Sequence, residues 1–354
     1  MALGASVASV TTGQSQPTPA VAATETSQTL QRADADMRLV IQKLLQLGAK
    51  PIGSLSVEET RRGPTPADAV KAVLQDQGKD PAALVAAMGV RKQDMTYQTA
   101  GTTQTIRIYT PGGLGGQALP VIVYIHGGGW VIATIDTYEA SAMALAKKTG
   151  AIVASVEYSH APEHRFPAAH DDTFAAYRWV LQNAQRFGGD PRRVAIAGES
   201  AGGNMAIHVA IQARERRVQP PRDMLLVYPV AGKNLDTPSY RRNEHAIPLS
   251  KAAMEWFVKN TTSSPSDLQD ARLDVIGAAN LAGLPPTTII NAGIDPLASD
   301  GLLLTQKLRA AGVATTHHLY EGVTHEFFGM DAVVADAGKA QDLGARALRA
   351  AMDG

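Results

Sequence analysis

Apolar positions along this chain change their spacing near residue 100. Upstream, Met37, Leu39-Val40-Ile41, Leu44-Leu45 and Leu47 recur at helical spacing between Gln31 and Leu47. Ser56-Val57-Glu58-Glu59, ahead of Arg61-Arg62, carries the serine and glutamate of a capping box and predicts a second helix. Two further helical runs, 66–74 and 81–88, each open on a proline, which a first helical turn tolerates because its N–H has no partner there.

Downstream the pattern becomes that of strands. Thr105-Ile106-Arg107-Ile108-Tyr109 alternates, and Pro120-Val121-Ile122-Val123-Tyr124-Ile125 is apolar without a break, as a strand buried on both faces should be. Strands over 151–156, 193–197, 224–228, 287–291 and 315–320 then alternate with helices starting near Tyr138, Phe166, Ala201, Ser299 and Asp331. Such alternation predicts an α/β fold, with a mostly parallel central sheet covered by helices on both faces. Between Tyr228 and Thr287 the chain spends nearly sixty residues, one helix (249–258) among them, where a crossover needs about a dozen. The surplus follows the C-terminal end of a strand, the side on which such sheets bind ligands. The division expected is a flexible tail (1–28), an N-terminal helical cap segment (29–95), a catalytic domain (96–231 and 274–354) and a second cap segment (232–273).

Charge and composition narrow the partner. Lys plus Arg and Asp plus Glu both number 33 among 354 residues, so no basic field exists to hold nucleic acid or anionic lipid, and a small molecule is the expected partner. The absence of cysteine removes disulfides, thiolate metal sites and a thiol nucleophile together. No apolar run reaches the ~18 residues a membrane span requires, which predicts a soluble chain. The compartment stays open between cytoplasm and export: Ala5-Ser6-Val7-Ala8 has the small residues of a cleavage site, without the basic start and apolar core of a signal.

Chemistry concentrates at strand ends. Val194-Ala195-Ile196-Ala197-Gly198-Glu199-Ser200-Ala201-Gly202-Gly203-Asn204 reads as strand, tight turn, then helix, with glycine on both sides of a serine. A turn of that kind lifts the hydroxyl above the sheet edge, making Ser200 the candidate nucleophile. A serine needs a base and an acid to orient the base. His325, in Gly322-Val323-Thr324-His325-Glu326, and Asp295, in Gly293-Ile294-Asp295-Pro296-Leu297, each follow a predicted strand, in the chain order serine, aspartate, histidine of an α/β-hydrolase. His126-Gly127-Gly128-Gly129-Trp130 closes the apolar strand at 120–125, where glycines allow backbone N–H groups to face an oxyanion. Gly128, Gly129 and Ala201 are the candidate donors, with His126 and Gly127 in the same loop as the first two.

Other histidines and aromatics get plainer readings. Pro162 interrupts the stretch holding His160, Glu163, His164, His170, Asp171 and Asp172, so no helical metal motif forms there and no metal or cofactor is expected. His317 and His318, adjacent on a strand, point to opposite faces. Trp130, Tyr228, Leu297 and Phe328, with Trp256, are candidate pocket residues, although aromatic side chains belong to cores more often than to sites.

Taken in order, His126-Gly127-Gly128-Gly129-Trp130, Gly198-Glu199-Ser200-Ala201-Gly202-Gly203, Asp295-Pro296-Leu297 with Asp300, and Gly322-Val323-Thr324-His325-Glu326-Phe327-Phe328 resemble the motifs of the bacterial hormone-sensitive-lipase-like esterases. Tyr158-Ser159-His160-Ala161-Pro162-Glu163 resembles a further segment of that family, with Ser159-His160 in place of its common Arg-Leu, and Glu199 stands where aspartate is usual. The resemblance covers the chain from about Ile106 onward. It implies an α/β-hydrolase with a helical cap and Ser200, Asp295 and His325 as its triad. It further implies cofactor-free hydrolysis of short- to medium-chain carboxylic esters, and often a homodimer. Two other readings stay open on the residues alone: a ligand-binding module without turnover, and an amidase or peptidase.

Overall fold

The computed structural model describes residues 28–113 and 116–353, so the expected tail lies outside the described residues as far as residue 27. After a short helical stretch at 28–32 come α1 (Ala35–Gln46), α2 (Val57–Arg62), α3 (Pro66–Asp76) and α4 (Pro81–Ala87). Strands and helices then run β1 (Val90–Gln98), β2 (Thr103–Pro111), β3 (Leu119–Ile125), α5 (Glu139–Thr149), β4 (Ile152–Val156), α6 (Ala168–Asn183), β5 (Gly189–Glu199), α7 (Ala201–Glu215) and β6 (Met224–Val227). After β6 come α8 (Pro238–Arg242), α9 (Lys251–Thr261) and α10 (Val275–Ala278), then β7 (Thr287–Ile294), α11 (Ala298–Ala310), β8 (Thr315–Thr324) and α12 (Ala335–Asp353).

Among the described residues, β1 to β8 form one sheet in the order β1-β2-β4-β3-β5-β6-β7-β8. The pairs β1/β2 and β2/β4 are antiparallel, and every pair from β4/β3 to β7/β8 is parallel. The unbroken apolar run of β3 has a direct cause: successive side chains face opposite ways and both faces are covered. Val121, Val123 and Ile125 join a core with Phe174, Tyr177 and Val180 of α6 and Met205 of α7. Ile122 and Tyr124 join the other core, with Met143 and Leu145 of α5, Leu348 of α12 and Met37, Val40 and Ile41 of α1. Each such side chain, fully buried, contributes roughly 1.5–3 kcal/mol.

The N-terminal helices start where the sequence places them. Ser56 accepts from the Glu59 N–H while Glu59 bonds back to the Ser56 N–H, and Thr65 and Asp68 form the same reciprocal pair ahead of α3. Two expectations need correction. Segment 29–95 holds a strand as well as helices: β1 is an edge strand, exposed along Arg91-Lys92-Gln93-Asp94, so no apolar alternation betrays it. Nor does the whole segment cover the site, because α1 buries its apolar stripe in the core beneath the sheet. The part that reaches the cavity runs from Ile52 to Pro66.

From the long interval after β6, Pro248, Leu249, Met254 and Phe257 reach the same cavity. The two wall-forming segments meet where Trp256 lies over Gly53, whose φ is +95° and where a Cβ would stand 3.3 Å from the Trp256 Cβ. Trp256, considered for the pocket, is spent on this junction.

Candidate active site

Three strand ends and one loop converge on a cavity of about 310 Å³, lined among others by Ser200, His325, Gly128 and Gly129. Ser200 sits between β5 and α7 at φ 55° and ψ −118°, a left-handed conformation that a residue with a Cβ rarely adopts. Its surroundings enforce it: the Ser200 N–H donates to the Val227 carbonyl at 2.9 Å, and its carbonyl accepts from Val230 at 3.2 Å. The turn also presses α7 onto β3, and a Cβ on Gly202 would lie 2.0 Å from the Ile125 carbonyl oxygen. Glycine is the one residue that fits.

Asp295 follows β7 and His325 follows β8, both on the edge of the sheet that carries Ser200. The His325 Nδ1 is 2.7 Å from Asp295 Oδ2, and Asp295 Oδ1 accepts the Leu297 N–H at 2.8 Å. Asp295 is wholly buried and His325 nearly so. Burial works against a charge on His325, but Asp295 beside it, with Glu326 and Glu199 nearby, holds its pKa above the usual value of 6.5. The ring rests on Tyr228, centroid to centroid 4.4 Å.

The loop after β3 turns tightly: the Gly128 carbonyl accepts from both Val131 at 3.0 Å and Ile132 at 2.9 Å. Gly128 has φ +94°, and a Cβ there would stand 2.0 Å from the Ile132 carbonyl oxygen, so no side chain fits. Ala201 is the first residue of α7, where the backbone N–H has no partner within the helix. His126 is buried beneath the loop, with Nδ1 2.9 Å from the Gly127 carbonyl and its ring stacked on Tyr158 at 4.3 Å. The Tyr158 hydroxyl donates to the same Gly127 carbonyl at 2.8 Å, so two side chains fix the loop from below.

The pocket side chains expected from the sequence lie elsewhere. Tyr228 is buried behind His325, its hydroxyl bonded to Glu199. Leu297 and Phe328 are fully buried in the two cores, and Trp130 faces a separate small cavity with Leu268 and Leu273. Aromatic and aliphatic character calls for apolar surroundings, and the cores supply them. Ile52, Ile132, Val230, Leu249, Met254 and Phe257 give the main cavity its apolar wall instead.

Glu326 and Arg61, given no role from the sequence, also reach this cavity. Glu326, at φ +73°, places Oε1 3.7 Å from His325 Nε2 and accepts from the Tyr138 hydroxyl. An acidic residue directly after the histidine was the available signal. Arg61 of α2 pairs with both oxygens of Glu163 and donates to the Val131 and Ala161 carbonyls at 2.8 Å, tying the N-terminal wall to the glycine loop. Glu199, wholly buried beneath the elbow, is pushed up to about 7 by burial, against the opposing hydrogen bonds from Tyr124 and Tyr228.

The α/β-hydrolase fold family model matches residues 122–329. The carboxylesterase NlhH of Mycobacterium tuberculosis is 38% identical over 280 residues, covering 78% of this chain and 87% of that protein. An ethyl acetate hydrolase of Pseudomonas putida is 34% identical over 242 residues, 67% of this chain and 75% of that one. Among solved structures, a thermostable esterase from Pseudomonas putida ECU1011 superposes with a TM-score of 0.78 at 28% identity, covering 90% of this chain and 98% of that chain.

Proposed function

This chain belongs to the α/β-hydrolase family and is a carboxylesterase of its bacterial hormone-sensitive-lipase-like branch, and on that premise we propose that Ser200, His325 and Asp295 carry out a two-step ester hydrolysis. Ser200 Oγ attacks the ester carbonyl while His325 Nε2 takes its proton. The oxyanion is met by the N–H groups of Gly128, Gly129 and Ala201, each such donor being worth ~3 kcal/mol in the transition state. Collapse of this intermediate breaks the bond to the alcohol, which leaves with the proton from His325. Water, activated by the same nitrogen, then attacks the acyl-serine and releases the carboxylic acid. The observation that carries this reading is the Asp295–His325 contact at 2.7 Å beside a serine held at φ 55° over a shared cavity.

The substrate proposed is a short- to medium-chain ester. A cavity of about 310 Å³ stands at the lower end of the ~300–1,000 Å³ range of ligand pockets, and its wall is largely apolar. In a p-nitrophenyl ester series from acetate to palmitate, kcat/KM is expected to peak at or below octanoate and to fall steeply by palmitate. A maximum at palmitate would overturn this substrate class.

The base must be neutral to accept a proton, so the rate should rise with pH through the pKa of His325. Because the neighbouring carboxylates raise that pKa, the ascending limb of kcat/KM is expected above pH 6.5. Glu326→Gln removes a carboxylate 3.7 Å from Nε2 that helps to raise the His325 pKa, and should move the limb to lower pH. An unmoved limb would show that Glu326 does not act on His325.

A further inference from the structure

The register of the sheet brings two distant residues together beside the glycine loop. Ile125 of β3 and Val156 of β4 are partners in a parallel ladder, so the residues that follow, His126 and Glu157, leave the sheet side by side. His126 Nε2 stands 3.1 Å from Glu157 Oε1. His160, at the place where the family resemblance has leucine, brings its Nε2 to 3.5 Å from the same oxygen. That nitrogen is buried and has no hydrogen-bond partner. Among the described residues this is the one set of three candidate ligands, with all three donor atoms within 4.8 Å of one another.

We propose that His126, Glu157 and His160 form a binding site for a divalent transition-metal ion of the zinc class, with its fourth coordination position open to the substrate cavity. The distances fit. A tetrahedral ion with bonds of ~2.0–2.1 Å sets its ligand atoms about 3.3 Å apart, between the two separations from Glu157. The hydrogen bonding fits as well. With its proton on Nδ1, toward the Gly127 carbonyl, the neutral His126 ring presents the Nε2 lone pair to Glu157, and a cation between the two satisfies both.

The outer contacts are those a metal site uses to orient its ligands. The Gly127 carbonyl holds His126 Nδ1, and the Ile135 N–H donates to Glu157 Oε2 at 3.1 Å. Two imidazoles and one carboxylate form a donor set that suits zinc, and His160 itself lines the cavity, which gives the ion its route in. The site does not depend on the proposed triad roles.

Titration of the tag-free full chain with Co²⁺, read by visible absorption, tests this directly. Expected are the intense bands of tetrahedral Co²⁺ saturating at one ion per chain and displaced by Zn²⁺. His160→Leu should weaken binding by more than about tenfold. Glu157→Gln provides a second ligand variant should His160→Leu fail to fold, and His325→Ala should leave the bands in place. The proposal is overturned if the wild type gives no tetrahedral spectrum, if a folded ligand variant binds with unchanged affinity, or if His325→Ala abolishes the bands, which would place the ion at the His325–Glu326 pair.

Discussion

Ser200→Ala is expected to lower kcat for p-nitrophenyl butyrate by about 10⁶-fold while circular dichroism stays that of the wild type. The serine hydroxyl makes no contribution to the elbow's backbone hydrogen bonds, which run through the Ser200 N–H and carbonyl, so its loss leaves the turn intact. His325→Ala should cost nearly as much, and the double variant little more than either alone. A nucleophile and the base that serves it act as one unit, and once either is gone the other has nothing to do. A Ser200→Ala enzyme retaining a hundredth of wild-type activity would remove Ser200 from the mechanism.

Asp295→Asn should lower kcat by about 10⁴-fold, through the tautomer of the histidine and not through lost packing. The Leu297 N–H bonds to Asp295 Oδ1 and will keep an oxygen there in the variant. The amide NH₂ then occupies the place of Oδ2, facing His325 Nδ1. A nitrogen facing a donor must accept, so the ring proton moves to Nε2 and leaves no lone pair for the serine proton. Partial recovery at high pH, with unchanged thermal stability, would separate this from general damage. A loss below tenfold would sink the argument.

Local signals were legible in the chain because they concern backbone geometry that few sequences satisfy. The elbow around Ser200 and the turn at Gly128 need residues without a Cβ at sites where an added Cβ would stand 2.0 Å from a neighbouring carbonyl oxygen, and the glycines announce this directly. Chain order pointed from Asp295 to His325 because both follow neighbouring parallel strands of one sheet. Pocket identity was not legible. Tyr228 and Phe328 carry apolar surface, but which wall of the sheet receives it is decided by the packing of helices far away in sequence. Strand β1 escaped notice because an exposed edge needs no apolar face, and the meeting of His126 with Glu157 depends on which strands are neighbours.

The catalytic floor and the selective roof are written on separate stretches of chain. Every proposed reacting group leaves the sheet itself, whereas the apolar wall comes largely from residues 52–66 and 248–257, which touch each other across Gly53 and Trp256. Such a division makes the roof interchangeable: replacing those two stretches as a matched pair should retune acyl preference without re-engineering the chemistry. Replacing one alone would leave Trp256 or Gly53 facing a stranger. Inheritance of substrate preference is therefore bipartite in this chain, and a graft that ignores the seam will fail at the seam before it fails at the serine.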